Sequence, residues 1–308
     1  MGKRVKANMV TLARFDEWLD GESENFGGWE SLEKSKQILD GNYQLRKEHV
    51  QLDDKSSSLA CRTIVRAQYG RTRSPFVQQI LDLTNVSAQD TFLDLGSGIG
   101  SVVLQASAVT GCEAIGVEIC VGRHQVALQL QTAFEREFAN KVSFLHGDFR
   151  TQHIFQKARN CTVLFVNNAN GVFNVRSSPS DCFSLDWHVA RLVAGMPNGS
   201  RVMCYDGLSD LDSAPLNQCF TKTMHVSAAG GTSWTEKSKS LTKFCIYVKT
   251  GNDWICDRCQ SVNTMVQDSP TAEWGETIHD TCVECTKQGF RKPYALRTRT
   301  KRYAYGEA

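Results

Sequence analysis

One segment constrains the fold of this chain more than any other. An apolar run at residues 91–95 leads into three glycines at alternate positions, Gly96, Gly98 and Gly100, and an acid, Asp94, precedes them. Glycine accepts positive φ angles and lets the backbone approach a ligand, and a helix that begins after such a loop offers unpaired N–H groups. The segment therefore predicts a ligand-binding turn between a buried strand and a helix, as in open α/β sheets.

The chain around this turn alternates short apolar runs with longer helical patterns. Strands are predicted at residues 91–95, 114–118, 142–146, 163–167, 201–205, 223–226 and 244–248. Helices are predicted at residues 74–83, 101–109, 121–138 and 185–193, with one or two more within residues 31–51. Strands that alternate with helices are typical of parallel sheets, so we expect an α/β fold whose mostly parallel sheet is covered on both faces.

The spacing of the glycines favours one class of cofactor. A dinucleotide-binding turn has the pattern G-x-G-x-x-G, whereas this chain has D-x-G-x-G-x-G, with Asp94 where a pyrophosphate would approach. A carboxylate suits an ammonium group better than a phosphate. The pattern therefore favours the amino-acid end of S-adenosylmethionine.

Two later strand ends fit the same cofactor. Glu118 ends the next predicted strand, where an acid can accept hydrogen bonds from both ribose hydroxyls. Asp148 and Phe149 follow the third, where they could accept from the adenine amino group and stack on the ring. The alternative for each acid alone is a helix N-cap. Three such strand ends in order indicate the carboxyl edge of an open sheet.

These segments resemble a known family. Residues 92–105, 116–118, 147–149 and 164–168 are similar, in the right order, to motifs of the Dot ("disruptor of telomeric silencing") histone-lysine methyltransferases. These are non-SET enzymes that modify a lysine in the folded core of histone H3. Ser-Trp-Thr at 233–235 resembles the family's late element beside the lysine channel, and Tyr-Gly at 69–70 the start of its gating loop. The likeness covers about residues 60–250.

The resemblance implies a Rossmann-like, S-adenosylmethionine-dependent methyltransferase sheet and assigns roles to individual residues. It implies that the cofactor is bound by Asp94, Gly96, Gly98, Gly100, Gln105, Glu118, Asp148 and Phe149. It also implies that Asn167 and Trp234 line the lysine channel, with Tyr69 and Thr72 at its entrance. The alternative for Trp234 is an ordinary core or surface aromatic. No general base is nominated, because an apolar channel disfavours the ammonium form of lysine.

Three positions depart from the family pattern. Arg71 stands where the family usually has an acid, Ala169 where it usually has an aromatic, and Leu241 where its channel tends to have a tyrosine. Cofactor binding stays the expectation, whereas the shape of the channel and the degree of methylation stay open.

Four of the twelve cysteines form a separate pattern. Cys256, Cys259, Cys282 and Cys285 make two C-x₂-C pairs separated by 22 residues. Two such pairs fit tetrahedral zinc, so we predict a structural zinc ion, with His279 as a possible substitute ligand. Unligated thiols or a redox pair are the alternatives. The other eight cysteines are expected to be small buried side chains without a function.

The net charge of +2 is a cancellation between blocks. Residues 55–81 hold five bases and no acid, residues 251–285 seven acids and one base, and residues 286–308 seven bases and one acid. Basic segments bind phosphate backbones without reading sequence, which predicts non-specific DNA contact. A nuclear-import signal or a merely soluble tail is the alternative. We expect no membrane contact, because no long apolar run or signal-peptide core is present.

Four regions are predicted: a helical N-terminal region at 1–60, a Dot-type methyltransferase domain at 61–250, a C-terminal zinc-binding module at 251–286 and a basic tail at 287–308. The expected activity is methylation of a lysine in the core of histone H3 on nucleosomes in the nucleus. One alternative is a methyltransferase that acts on RNA or another non-histone substrate. The other is a catalytically weak chromatin adaptor, which Arg71, Ala169 and Leu241 motivate. The oligomeric state is left open.

Overall fold

The fold is built on one mixed sheet of seven strands. The computed structural model describes residues 9–26, 28, 71–169, 173, 184–213, 216–228, 231, 241–251, 253–255 and 262–264. The strands of the sheet are β1 Thr91–Leu95, β2 Glu113–Glu118, β3 Val142–His146, β4 Val163–Val166, β5 Arg201–Cys204, β6 Phe220–Ser227 and β7 Thr242–Lys249. A separate antiparallel pair is formed by β8 Asp253–Ile255 and β9 Val262–Thr264.

Helices connect most of these strands. They are α1 Leu12–Glu24, α2 Ser74–Leu83, α3 Ser101–Thr110, α4 Val121–Phe138, α5 Gln152–Arg159, α6 Leu185–Ala194 and α7 Ser209–Asp212, and a 3₁₀ turn spans Leu216–Cys219. In the part of the chain that the structure describes, no helix is both long and apolar enough to cross a bilayer.

The strand order is β3-β2-β1-β4-β5-β7-β6. The first five strands are parallel, whereas β7 is antiparallel to both β5 and β6. The order reverses direction between β1 and β4, because β2 and β3 lie to one side of β1 and β4 to the other. Ligands of open α/β sheets bind outside the carboxyl ends of the strands at such a reversal.

Side chains of the central strands alternate between two hydrophobic cores. Phe92 and Phe165 face one core, which α1, α2, α3 and α4 cover. Leu93, Leu95 and Leu164 face the other, which α5 and α6 cover. This period of two is what a strand buried on both faces requires. The predicted parallel sheet with helices on both faces is therefore confirmed.

The helix α1 lies in the region predicted to be helical, although no individual helix was predicted at its position, and it belongs to the first core. Phe15 and Leu19 are 0% and 2% exposed and pack in the same cluster as α2 and α3. Burial raises the pKa of Asp16 on this helix, while a hydrogen bond from Ser74 and the positive charge of Arg71 act in the opposite direction. Arg71, the first of the departures from the family pattern, thus lies near an acid of α1.

The remaining predicted elements agree with the structure to within a few residues. The helix α5 was missed, and β6 is longer than the predicted strand at 223–226. The helices predicted within residues 31–51 lie outside the described residues.

Candidate active site

The glycine turn lies at the carboxyl end of β1, and its backbone matches the prediction. The φ angles of Gly96, Gly98 and Gly100 are +86°, +57° and +89°, and residues that carry a side chain rarely adopt such backbone angles. The N–H groups of Gly96 and Ser97 both donate to the carbonyl of Val117, at 2.8 and 3.0 Å. The turn is thereby fixed against the end of β2, and α3 begins directly after it.

Glycines in and beside the turn leave space for different neighbours. A Cβ on Gly100 would lie 2.3 Å from Cζ of Phe144, and one on Gly116 would lie 2.6 Å from Cδ1 of the same ring. Both glycines therefore make room for Phe144 on β3. A Cβ on Gly96 would meet no atom within 4 Å. Gly96 thus faces open space, where a ligand can approach the backbone.

Glu118 closes the site from the end of β2. Its side chain accepts a hydrogen bond from the N–H of Gly98 at 2.8 Å and one from the N–H of Cys120 at 2.7 Å. Arg123 lies 3.9 Å from the carboxylate. A carboxylate has about four acceptor positions. Two backbone donors therefore fix this side chain and leave acceptor capacity for hydroxyl groups.

Asp94 is a buried acid directly before the turn, and it is only 2% exposed. Burial, and then the negative charge of Glu118, raise its pKa well above the ordinary value. No basic side chain of the described residues forms an ion pair with it. A buried carboxylate without a cation is costly unless the site supplies one, so this position is suited to an ammonium group.

Asp148 lies beyond the end of β3, as predicted, but a basic residue accompanies it. The side chain of Arg150 donates to both oxygens of Asp148, and the backbone N–H of Arg150 adds a bond of 2.9 Å. Burial opposes ionisation, but these hydrogen bonds and the charge of Arg150 lower the pKa of Asp148 overall. These interactions favour the ionised carboxylate, which has only acceptor positions and suits an amino group.

Phe149 faces a second ring that the sequence analysis missed. Its ring is stacked with that of Phe173, with centroids 6.1 Å apart and planes 10° from parallel. Both side chains are partly buried against the second core. Two near-parallel aromatic faces beside a carboxylate suit a planar heterocycle.

Tyr205 lies near Asp94 and is hydrogen-bonded to both Thr72 and Gly231. Thr72 is 5% exposed and hydrogen-bonds with Tyr205, whose pKa is raised by burial, opposed by that bond and raised further by the charge of Asp94. The Tyr205 hydroxyl and the N–H of Arg73 both donate to the carbonyl of Gly231, at 2.9 and 3.2 Å. Through these bonds, Thr72, Arg73, Tyr205 and Gly231 are joined into one hydrogen-bonded group.

The two asparagines that follow β4 differ in burial. Asn167 is half-buried at the same edge of the sheet. Asn168 is 0% exposed and exchanges hydrogen bonds with the backbone of Asp206, at 2.9 and 3.0 Å. It also donates to Asp186 at 3.3 Å. Asn168, for which the motifs predict no role, thus joins the ends of β4 and β5.

The structure describes some of the other predicted site residues and leaves others outside its described part. Gln105 is buried, and its amide donates to the carbonyl of Ser74 at 2.8 Å, so it joins α3 to α2. Ala169 packs against the first core, and Leu241 is 61% exposed at the start of β7. The residues outside the described part of the chain are Tyr69, Trp234, Cys256, Cys259, Cys282, Cys285 and His279. Among the residues that are described, no group of three or more potential ligands is arranged to hold a metal.

The comparisons with known proteins agree with the resemblance drawn from the motifs. The chain matches the family model "Histone methylation protein DOT1" over residues 62–248. A Chaetomium globosum protein named "Histone-lysine N-methyltransferase, H3 lysine-79 specific" is 35% identical over 111 residues, 32% of this chain and 21% of that protein. A Drosophila melanogaster protein of the same name is 30% identical over 192 residues, 56% of this chain and 10% of that protein.

The chain spans about a tenth to a fifth of the length of these curated relatives. Among solved structures, TrmN from Thermus thermophilus is similar with a TM-score of 0.42 and 18% identity, over 56% of this chain and 48% of that one. The family model, by contrast, covers more than half of the 308 residues. The chain therefore belongs to the DOT1 family of histone methylation proteins.

Proposed function

We propose that this chain is a histone-lysine N-methyltransferase that uses S-adenosylmethionine to methylate a lysine in the folded core of histone H3 on nucleosomes. One observation carries the proposal: in a chain of this family, Asp94, Glu118 and Asp148 follow or end three neighbouring parallel strands at the edge where ligands bind. The curated relatives are named as H3 lysine-79 specific enzymes, which supports H3 as the substrate.

The residues present fit the cofactor. Asp94 offers a buried carboxylate for the ammonium group of the methionine moiety, and the open space beside Gly96 admits it. Glu118, already oriented by two backbone N–H groups, accepts from the ribose hydroxyls. Asp148 accepts from the adenine amino group, and Phe149 with Phe173 provides faces for the ring. When bound, S-adenosylmethionine supplies an electrophilic methyl group.

The protein's part in the transfer is to deliver a neutral amine in line with that methyl group. A free lysine has a pKa of about 10.4, so its ammonium must lose a proton before it attacks. A channel of apolar and aromatic side chains disfavours the charged form and aligns the nitrogen. We assign Asn167 and Trp234 to its walls, and Tyr69 and Thr72 to its entrance. Tyr205 supports this channel, because its hydroxyl bonds to Gly231, three residues before Trp234.

The wider assignments rest on the sequence. The basic blocks at 55–81 and 286–308 suit non-specific contact with nucleosomal DNA, and such a substrate places the protein in the nucleus. The shape of the lysine channel would set the degree of methylation. We assign no degree, because Arg71, Ala169 and Leu241 depart from the family pattern.

We also propose that Cys256, Cys259, Cys282 and Cys285 hold a structural zinc ion. Cys256 and Cys259 fall in the sequence between β8 and β9. Ile255, the last residue of β8, is the register partner of Val262, the first residue of β9, so the two ends of the connecting segment lie side by side. Elemental analysis of the purified full chain should give one zinc per chain, lost when Cys256 and Cys259 are both replaced by serine. A wild-type chain without bound zinc would refute this part of the proposal.

Radiolabelled methyl transfer tests the activity. The wild-type chain should label H3 within nucleosomes, and Asp94→Asn should abolish the labelling, since the amide removes the charge that receives the ammonium group. Asp82→Asn, an exposed substitution on α2, serves as the matched control and should retain activity. Label that appears on RNA and not on histones would favour the RNA methyltransferase alternative. Tight cofactor binding without any transfer would favour the chromatin adaptor.

A further inference from the structure

Two cysteines face each other across antiparallel strands, outside the candidate active site. Cys204 ends β5 and is the direct partner of Cys245 on β7. On the other side of β7, Cys245 is the direct partner of Met224 on β6. Three sulfur side chains therefore lie in one row across three adjacent strands, on the face of the second core.

The spacing of this pair is close to that of a disulfide. Cβ atoms of directly opposite residues on antiparallel strands lie about 4.5–5.5 Å apart. A disulfide needs a Cβ separation of about 3.5–4.5 Å and a Cα separation of about 4.4–6.8 Å. The two thiols already hydrogen-bond with each other. The Cβ separation typical of such cross-strand partners thus lies within about 1 Å of the range that a disulfide needs.

The two thiols also differ in character. The hydrogen bond from Cys204, helped by the positive charge of Lys222, lowers the pKa of the Cys245 thiol in spite of its burial. The pKa of Cys204 is raised by that same hydrogen bond and by burial. In other parts of the sheet, burial raises the pKa of Cys112 to about 11 and that of Cys161 to about 12. Cys245 is thus the better nucleophile of the pair, and Cys112 and Cys161 are buried thiols of ordinary low reactivity.

The thiols are buried, but an exposed sulfur contacts one of them. Cys204 and Cys245 are each 1% exposed, whereas Met224 is 60% exposed, and its sulfur lies 3.1 Å from that of Cys245. The strand β6 is the edge of the sheet, so Cys245 lies one strand away from that edge.

We propose that Cys204 and Cys245 form an oxidative modification site, in which an oxidant of the peroxide class converts the cross-strand thiol pair into a disulfide. The Cys245 thiolate attacks hydrogen peroxide; the O–O bond breaks, the sulfur is oxidised to a sulfenic acid, and the leaving hydroxide takes up a proton to become water. The Cys204 thiol then attacks the sulfenic sulfur. The S–S bond forms as the S–O bond breaks, and a second water leaves with the Cys204 proton.

The site is coupled to the active-site region by chain connectivity. Tyr205 follows Cys204 directly; its hydroxyl donates to the carbonyl of Gly231, and the charge of Asp94 acts on its pKa. A disulfide draws β5 and β7 together one residue before this tyrosine. The modification is nevertheless a property of the thiol pair, and it can be measured without any methylation assay.

Peptide mapping of the full chain after treatment with hydrogen peroxide tests the proposal. Free thiols are blocked by alkylation at each time point, and peptides are analysed without reduction. Burial raises the pKa of the Cys112 thiol to about 11, whereas the pKa of the Cys245 thiol is lowered by its hydrogen bond with Cys204. We therefore expect Cys245 to be oxidised faster than Cys112. A peptide that links Cys204 to Cys245 should appear and disappear again with dithiothreitol.

Variants separate the two steps. In Cys204→Ser, Cys245 should accumulate as a sulfenic acid that dimedone traps, and in Cys245→Ser, Cys204 should stay reduced. Met224→Leu controls for thioether oxidation and should still form the disulfide. If a serine substitution destabilises the core, the peptide map of the wild-type chain still tests the proposal on its own. The proposal is overturned if the wild type gives no linked peptide, if Cys112 reacts as fast as Cys245, or if Met224 sulfoxide is the sole product.

Discussion

Alanine at Gly96 and alanine at Gly199 should cost the same stability, but only the Gly96 variant should weaken cofactor binding. Gly96 has a φ of +86° and Gly199 a φ of +81°, and a Cβ at either position would meet no atom within 4 Å. Gly199 lies before β5, at the amino end of that parallel strand, whereas Gly96 lies at the carboxyl end of β1. The two variants are therefore matched in strain and differ in their position relative to the site.

The expected loss of stability follows from the backbone alone. A left-handed conformation costs an L-residue about 1–2 kcal/mol. Replacing glycine also stiffens the unfolded chain, which returns about 0.4–1 kcal/mol. The net loss of about 1 kcal/mol corresponds to a fall in Tm of about 2–4 °C for either variant. Gly100→Ala should lose a further ~1–3 kcal/mol of folding free energy, because its Cβ would lie 2.3 Å from the ring of Phe144.

Cofactor binding should separate the matched pair. The methyl group of Gly96→Ala occupies the space that we assign to the cofactor, so its Kd for S-adenosylmethionine should rise about tenfold or more, equivalent to about 1.4 kcal/mol. Gly199→Ala should bind as the wild type does. Thermal melts and titration calorimetry measure the two effects. If Gly96→Ala binds the cofactor as tightly as Gly199→Ala, then the glycine turn does not contact the cofactor and the reasoning is wrong.

Three further predictions concern the acids and rings of the same region. The affinity for S-adenosylmethionine should increase as pH rises through the raised pKa of Asp94, because only its ionised form attracts the ammonium group; a flat pH profile that matches that of Asp94→Asn would contradict this. Phe149→Ala should weaken cofactor binding by about 1–3 kcal/mol through lost stacking next to Phe173, and unchanged affinity would exclude an adenine there. Burial raises the pKa of Asp186 to about 6 from 3.8, so ionising this acid costs stability as pH rises between those values. Asp186→Asn should remove that loss without breaking its contact to Asn168, and chemical unfolding at pH 4 and pH 7 checks it; an unchanged difference between the two pH values would refute the assignment.

Much of the sheet could be predicted because its strands are buried on both faces. Residues 163–166 are continuously apolar, residues 91–95 are apolar except for Thr91 and Asp94, and the helices between the strands show their own period. The edge strand β6 was underestimated, because most of its residues are exposed and leave no apolar pattern. The helix α1 had a usable signal that was overlooked: Leu12, Phe15 and Leu19 recur at helical spacing after Thr11, whose side chain caps the helix.

The site was predictable where its residues follow strands directly. Asp94, Glu118 and Asp148 occupy strand ends, so the topology alone brings them to one edge. Phe173 and Tyr205 had no such signal, because nothing in the sequence tells which ring faces Phe149 or which hydroxyl reaches Gly231. These partners are fixed by tertiary packing.

The thiols show the same limit. Sequence spacing singled out the four cysteines of the C-x₂-C pairs and treated the other eight alike. Cys204 and Cys245 are 41 residues apart in sequence, and only the antiparallel register of β5 and β7 makes them neighbours. A register that depends on distant strands cannot be read from local pattern.

Mass spectrometry of histones tests the central claim most directly. Nucleosomes are incubated with S-adenosylmethionine and either the wild-type chain or Asp94→Ala, and H3 peptides are analysed for added methyl groups. The account predicts methylation of a lysine in the folded core of H3 with the wild type, and none above background with the variant. Unmodified H3 in the presence of a wild-type chain that binds the cofactor, or equal methylation by the variant, would contradict it.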